Sequence, residues 1–301
     1  MLPVSTSDVL QMPGLTAADV AAALAELAAA RERVYYDADA DSAAAESYYD
    51  GVAPEQFADL VTRTHVRRPG YKPARELYPW VDLQPTGKLR SLYTSHEWDP
   101  EELIRADLAI AQERVRELTS RLGLPEARDA LEVLDEVADA LPFNCEHVVP
   151  QSWFSKKEPM RGDLHHLFAC ETRCNSFRSN TPYDEFADFP EQAAAGPALD
   201  VVRDDCGKTA ASGFEPAHRK GPAARAVFYF LLRYPGLVEA DEMPPDRQQM
   251  LLSWHEEEPV TQWERHRNAA IFERQGNRNP LIDHPELARR LVPVIASPEG
   301  R

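Results

Sequence analysis

Glu146 and His147 stand side by side near the head of FNCEHVVPQSWFSKKEPMRGDLHHLFACETRCNSFRSN, residues 143–180. Glu146 and Asn175 offer hard oxygen ligands, His147 offers a base, and Arg161, Arg173 and Arg178 can receive phosphate. Oxygen donors suit magnesium better than zinc, and a neutral imidazole beside such a metal can activate water. The chemistry this combination points to is metal-assisted hydrolysis of a phosphodiester. Taken alone, a Glu-His dipeptide is far more often an ordinary surface or core pair. The reading rests on Asn175 completing a pattern with it.

EHVVPQSWF (146–154), DLHHL (163–167) and CNSFRSN (174–180) resemble the endonuclease I family of ββα-metal nucleases, relatives of the His-Asn-His endonucleases. Further on, FEP (214–216), RAVFYFLLRYPG (225–236), WHEEEPV (254–260) and QGNRNPLIDHPE (275–286) resemble the same family in the same order. The resemblance implies that His147 is a general base and that Glu146 and Asn175 hold a single magnesium ion. It implies that Arg161 meets transition-state charge and that the products carry a 5′ phosphate and a 3′ hydroxyl. His166 aligns with the central Asn of the His-Asn-His pattern, where a backbone carbonyl orients the base. A carbonyl on Nδ1 would leave Nε2 of His147 as the acceptor.

Other residues are secondary candidates. Arg178 lies three residues beyond Asn175 on one helix face and is expected to hold a neighbouring phosphate. Lys156, Lys157 and Arg173 are candidate DNA contacts, although solvated surface is their simplest reading. Asp163, His165, His166 and Asn180 are supporting candidates, His165 as a structural residue. QGNRNP reads as a structural turn, and His218, His255, His266 and His284 as structural or exposed. One constraint bears on the pair itself. Adjacent residues of a regular strand point to opposite faces, so Glu146 and His147 flank one metal only if the strand ends, twists or bulges there. Pro150 makes an early end plausible.

All four cysteines (Cys145, Cys170, Cys174, Cys206) fall in or near this region. In a reducing compartment a four-thiolate structural zinc site is favoured over two disulfides. The Cys170-x3-Cys174 spacing is looser than the usual C-x2-C, so disulfides and free thiols stay open. Cys145 adjoins Glu146 and Cys174 adjoins Asn175, so either cross-link would brace both metal ligands.

The elements that must position these residues can be read from pattern and punctuation. Residues 17–34 read as a helix with Val20, Leu24, Leu27 and Val34 near one face. The acidic 41–50 stretch reads as a loop or frayed helix, and Ser91–Ser95 as a short strand. Asp99 is placed as an N-cap with Pro100 at the first helical position and Glu102 in a capping box; that helix runs to Leu122. A second helix covers residues 126–141. A strand at 143–148, a strand at 165–168 and a helix at 174–179 give a ββα order. Residues 190–213 read as a surface loop, and Ala223–Arg233 as a core helix. The fold class is α+β, a ββα-metal finger core within a mainly helical single domain. Its division is an N-terminal helical segment (1–85), the nuclease-like domain (86–290) and a tail (291–301).

A chain of 301 residues can bury a substantial core, and 43% hydrophobic with 28% charged residues is ordinary for a soluble protein. No apolar run reaches the ~20 residues that span a bilayer, and the first residues carry no secretory pattern, so the expectation is a cytoplasmic protein without a membrane partner. The formal net charge of −17 weighs against very tight nucleic-acid binding. Locally the balance differs: residues 156–178 hold five Lys or Arg against three acids. DNA, with RNA as an alternative, is the expected partner, and an inhibitor or regulatory partner is an option for a nuclease kept inside a cell. Two rivals remain: a selective nuclease with a restricted target, and a zinc-stabilised nucleic-acid-binding protein without catalysis.

Overall fold

Helix α1 (Ala17–Ala30) begins where Thr16 and Asp19 close a capping box, the Asp19 amide donating to Thr16 Oγ1 at 3.1 Å and the Thr16 amide to Asp19 Oδ2 at 2.9 Å. It buries Val20, Ala23, Leu27 and Ala30 and then stops; Val34, expected on that face, is exposed. The computed structural model describes residues 16–107, 109, 143–187, 201–203, 205–210 and 213–295. The acidic stretch expected as a loop or frayed helix is helix α2 (Ala38–Tyr49). Asp37 accepts from the Ala40 amide at 3.0 Å, and Asp39 and Asp41 in the first turn favour the helix dipole. Apolar periodicity is weak there because Tyr49 is the helix's one buried side chain. Helix α3 (Phe57–Thr64) follows and buries Phe57, Leu60 and Val61.

Ser91–Ser95, expected as a strand, is instead the connection of a small hairpin, β1 (Leu89–Arg90) against β2 (Glu97–Trp98). Its first four residues, Ser91 to Thr94, are nevertheless buried, with the Leu92 amide donating to Ala169 O at 2.9 Å. A helix opens at Pro100 under an Asp99 cap whose Oδ1 accepts from the Glu101 amide at 2.9 Å, as expected. Its run to Leu122 and the helix expected at 126–141 lie outside the described residues.

Strand β3 (Phe143–His147) pairs antiparallel with β4 (Leu167–Glu171), placing Cys145 opposite Ala169 and His147 opposite Leu167. The second strand starts later than expected because Leu164–His166 forms a 3-10 turn, capped by the Asp163 carboxylate on the His165 amide. Helix α4 (Thr172–Arg178) follows at once, so the β, β, α order is present. The span expected as a surface loop (190–213) contains, where described, strands β5 (Val201–Arg203) and β6 (Gly207–Ala210), which β7 (Gly213–Pro216) completes to a three-stranded antiparallel sheet. A disulfide between Cys174 and Cys206 ties α4 to the start of β6, the middle strand of this sheet.

Helix α5 (Lys220–Arg233) is buried on nearly every side and is packed by α3, by α6 (Pro245–Glu257) and by α8 (Ala288–Ile295). Helix α7 (Gln262–Gln275) opens on a Thr261–Glu264 capping box and closes on Gly276, whose φ of 91° suits glycine. Two apolar cores result. One gathers α5 with Phe57, Leu60, Val61 and Trp254; the other joins Val20, Leu27, Tyr78, Trp80 and Ile271. Residues from the first 85 therefore enter both cores. The β3–β4 hairpin divides them, with Cys145, Leu167 and Ala169 facing one and Phe168 and Cys170 the other.

Polar groups fix the turn before β4. Asp163 is 0% exposed and accepts from the Tyr229 hydroxyl at 2.8 Å, the Tyr234 hydroxyl at 2.9 Å, Gln275 Nε2 at 3.0 Å and the His165 amide at 3.1 Å. The QGNRNP turn supplies part of this network, since Gln275 also accepts from the Leu164 amide at 2.7 Å and Asn277 donates to Tyr229 at 2.7 Å. Its expected structural role is what the contacts show. Burial alone would raise the Asp163 carboxyl, but the facing imidazoles of His65, His165 and His166 and the Gln275 bond outweigh it and hold the group down at about 2. An unfolded aspartate near 3.8 takes up its proton first, so this stabilisation is complete above that value and disappears as pH falls toward 2. The loss is on the order of 2 kcal/mol. Urea unfolding of wild type and Asp163→Asn between pH 5 and pH 2 (about the range of that titration) checks this: the variant, less stable at pH 5, shows the shallower decline.

Candidate active site

Strand β3 ends at His147, and the end resolves the geometric constraint. Glu146, His147 and Asn175 all line one cleft of about 200 Å³, with Gln151, Ser152, Arg178, Ser179 and Asn180 around it. The Val148 amide donates to His166 O at 3.0 Å, after which Pro150 turns the chain away. The strand terminus brings the adjacent pair to a common opening.

Glu146 is 1% exposed. Its Oε1 accepts from the Tyr93 hydroxyl at 2.8 Å and from Arg178 Nη1 at 2.9 Å, which leaves Oε2 outside both bonds. Burial pushes the carboxyl up to about 7, against the pull of Arg178 and Tyr93. Such a carboxylate carries an uncompensated desolvation cost that a divalent cation would relieve. Asn175 Nδ2 donates to Asn144 Oδ1 at 2.8 Å and more distantly to Cys145 O at 3.4 Å, so its amide is turned with Oδ1 as the remaining ligand atom.

His147 Nε2 lies 3.0 Å from Arg161 O, and since a carbonyl only accepts, Nε2 carries the proton. Nδ1 is then the lone-pair nitrogen. This corrects the expected arrangement in two respects: the orienting carbonyl belongs to Arg161 rather than His166, and the free nitrogen is Nδ1 rather than Nε2. The His166 carbonyl is taken by the Val148 amide. Burial holds the His147 imidazole well below its ordinary pKa, with His166 adding to the effect, so the ring is neutral near pH 7.

The arginines divide. Arg178, expected on phosphate, is 1% exposed and turned inward. Beyond Glu146 it donates to His147 O at 3.1 Å and Val148 O at 2.9 Å, and its guanidinium lies 4.8 Å from the centre of the Tyr183 ring. It braces the strand end and cannot also meet solvent-borne phosphate from there. Arg161 is half-buried and donates from Nε to Gln151 Oε1 at 3.2 Å. Arg173 pairs with Glu171, at 3.3 Å. Lys156 and Lys157 are exposed, as is Asn180 at the cleft. His165 is buried against Asn277 O at 3.3 Å and His166 against Met160 O at 2.6 Å, while Asp163 serves the buried network.

The four thiols expected as a zinc set do not converge. Cys174 and Cys206 form the disulfide, and Cys145 and Cys170 are buried free thiols on opposite sides of the hairpin. Among the described residues no three His, Cys, Asp or Glu side chains are grouped to hold a metal. Of the other histidines, His255 and His266 engage backbone carbonyls, in line with a structural role. Sequence reasoning missed Tyr93, which bonds Glu146, Asn144, which accepts from Asn175, and Tyr183, which bonds Tyr93 and backs Arg178. A tyrosine in a SLYTS segment carries no sign of a carboxylate partner far along the chain.

A model of the Endonuclease I family matches residues 88–286, and the chain belongs to that family. It is 33% identical over 174 residues to a protein of Bacillus subtilis (strain 168) named extracellular ribonuclease, covering 50% of this chain and 54% of that one. An extracellular ribonuclease of Bacillus amyloliquefaciens is 32% identical over 163 residues (48% and 52%). An extracellular deoxyribonuclease of Aeromonas hydrophila is 28% identical over 127 residues (41% and 50%). The chain spans about half the length of these relatives.

The inward arginine gives a direct prediction. Arg178→Ala leaves the His147 and Val148 carbonyls without their donor and the Glu146 carboxyl protonated at neutral pH. It lowers stability by roughly 1–3 kcal/mol for each buried acceptor stranded. Arg178→Lys keeps the charge but not the forked reach, and falls between. Urea midpoints at neutral pH rank the three proteins in that order.

Proposed function

We propose that the chain is a magnesium-dependent endonuclease of the ββα-metal type, cutting phosphodiester bonds of DNA or RNA with little regard to sequence. The observation that carries this reading is the convergence of a neutral imidazole of fixed tautomer with a carboxylate and an amide oxygen on one cleft. Glu146 Oε2 and Asn175 Oδ1 fit a hard cation that keeps several waters, the habit of magnesium. When bound, the ion supplies positive charge against the phosphate oxygens and the leaving 3′ oxygen.

The chain's own residues do the rest. Nδ1 of His147 takes a proton from the attacking water, while the Arg161 carbonyl keeps the opposite nitrogen protonated and the ring in place. Arg178 and Tyr93 hold Glu146 by one oxygen. Arg161, bonded to Gln151 of the cleft, is assigned to charge on the phosphate. Contacts of this kind address the backbone, which is why selectivity for base sequence is expected to be low. The names of the relatives, two ribonucleases and a deoxyribonuclease, support either polymer as substrate.

The disulfide and the word extracellular in the relatives' names together support an oxidising working compartment, in place of the cytoplasm expected from the first residues. No helix among the described residues is long and apolar enough to cross a membrane.

His147→Ala tests the proposal. Cleavage should fall by about 10²–10⁴-fold, the usual worth of a positioned general base, while filter-bound DNA and magnesium affinity by calorimetry stay close to wild type. Cleavage undiminished in the variant would remove His147 from the chemistry.

A further inference from the structure

We propose that Tyr71, on a segment preceding the family-matched residues 88–286, is a positioning residue of the active site that holds the His147 imidazole and the Arg161 guanidinium in place. The inference rests on the proposed roles of those two groups. Its ground is a juxtaposition: the Tyr71 ring adjoins both groups. Its centre is 5.0 Å from that of the His147 ring at a tilt of 33°, and the Arg161 guanidinium carbon stands 4.8 Å from it. An aromatic face attracts a guanidinium, so the ring both walls the base and holds the arginine. Phe154 and His166 also face the imidazole, at 6.3 Å and 5.5 Å between ring centres.

The backbone around Tyr71 clamps the same turn. Its amide donates to Glu158 Oε1 at 3.3 Å, and Glu158 Oε2 accepts from the Gly162 amide at 2.9 Å. Gly162 is pressed so closely by this segment that an added Cβ would stand 2.1 Å from Pro69 O. The turn so held carries Arg161, whose carbonyl fixes the tautomer of His147. The segment is itself anchored, since the Arg67 amide donates to Gln275 O at 3.1 Å and Arg67 Nε to Arg274 O at 2.6 Å, at the end of α7. Residues 67–71 thus couple a rigid helix terminus to the orientation of the base. A displacement of about 1 Å in such a group is worth about 10²-fold in rate.

Three variants of the full chain separate a positioning ring from a merely structural one: Tyr71→Phe, Tyr71→Ala and Glu158→Gln. Steady-state cleavage gives kcat and KM, and long-range proton–nitrogen NMR of the metal-free protein reads the His147 tautomer directly. Tyr71→Phe is expected to keep kcat within about 3-fold and the single Nε2–H tautomer, because the ring face remains. Tyr71→Ala is expected to lose about 10–100-fold in kcat with little change in KM, and to show mixed tautomers. Glu158→Gln, which leaves the ring in place, should show a smaller loss in the same direction. A folded Tyr71→Ala protein with unchanged kcat and an unchanged tautomer would overturn the proposal, and so would a Phe variant as damaged as the Ala variant. Should the wild type cleave nothing, the nuclease reading fails by that result, and the tautomer spectra still decide whether Tyr71 positions the imidazole.

Discussion

A carboxylate sealed from water must find its donors inside the protein, and Asp163 finds them on separate segments: two tyrosines of the α5 region, Gln275 at the end of α7, and the His165 amide. The turn leading to β4 hangs from this point. Because the turn is fixed, the Arg161 carbonyl has a fixed place, and with it the protonated nitrogen of His147. The nearby Asp82–Arg267 pair does the same for the strand itself, Arg267 reaching the Leu164 and Leu167 carbonyls while Asp82 accepts from the Ala169 amide. Helices far from the cleft in sequence are therefore part of its geometry. A buried polar network of this kind is costly to rearrange, which favours one arrangement of the fold over several.

The cleft shows the opposite bargain. Glu146 is buried beyond what Arg178 and Tyr93 compensate, so its carboxyl holds its proton to about 7. His147 is buried in the same way and stays neutral. The shifts run in opposite directions in charge, both toward the uncharged form, because burial dominates each. Under the proposed function, a bound cation would relieve the burial of Glu146 while the neutral His147 stays available as a base.

Much of this was legible in the sequence, and the part that was not has physical causes. Glu146, His147 and Asn175, singled out by spacing and family resemblance, line one cleft, and the β, β, α order and the α5 core helix were legible from motif order and apolar pattern. Arg178 was misplaced because helix phase places it beside Asn175 but does not say which way a long side chain points; the buried carboxylate decided that. The nitrogen of His147 was exchanged because the orienting carbonyl comes from a turn of irregular backbone, which no periodicity marks. The cysteines were grouped by nearness in sequence, whereas the pleat of the hairpin sends Cys145 and Cys170 to opposite cores. The sheet at 201–216 was hidden by a composition rich in small and turn-forming residues, and Tyr71 by lying outside the recognisable motifs.

The most direct test of the central claim is cleavage of supercoiled plasmid and of single-stranded RNA by the purified chain, with magnesium and with excess chelator. The account predicts nicking and then degradation in magnesium, abolished by chelator. Cleavage that persists in chelator would contradict the metal-assisted site, and no cleavage of either polymer in magnesium would contradict the nuclease reading itself.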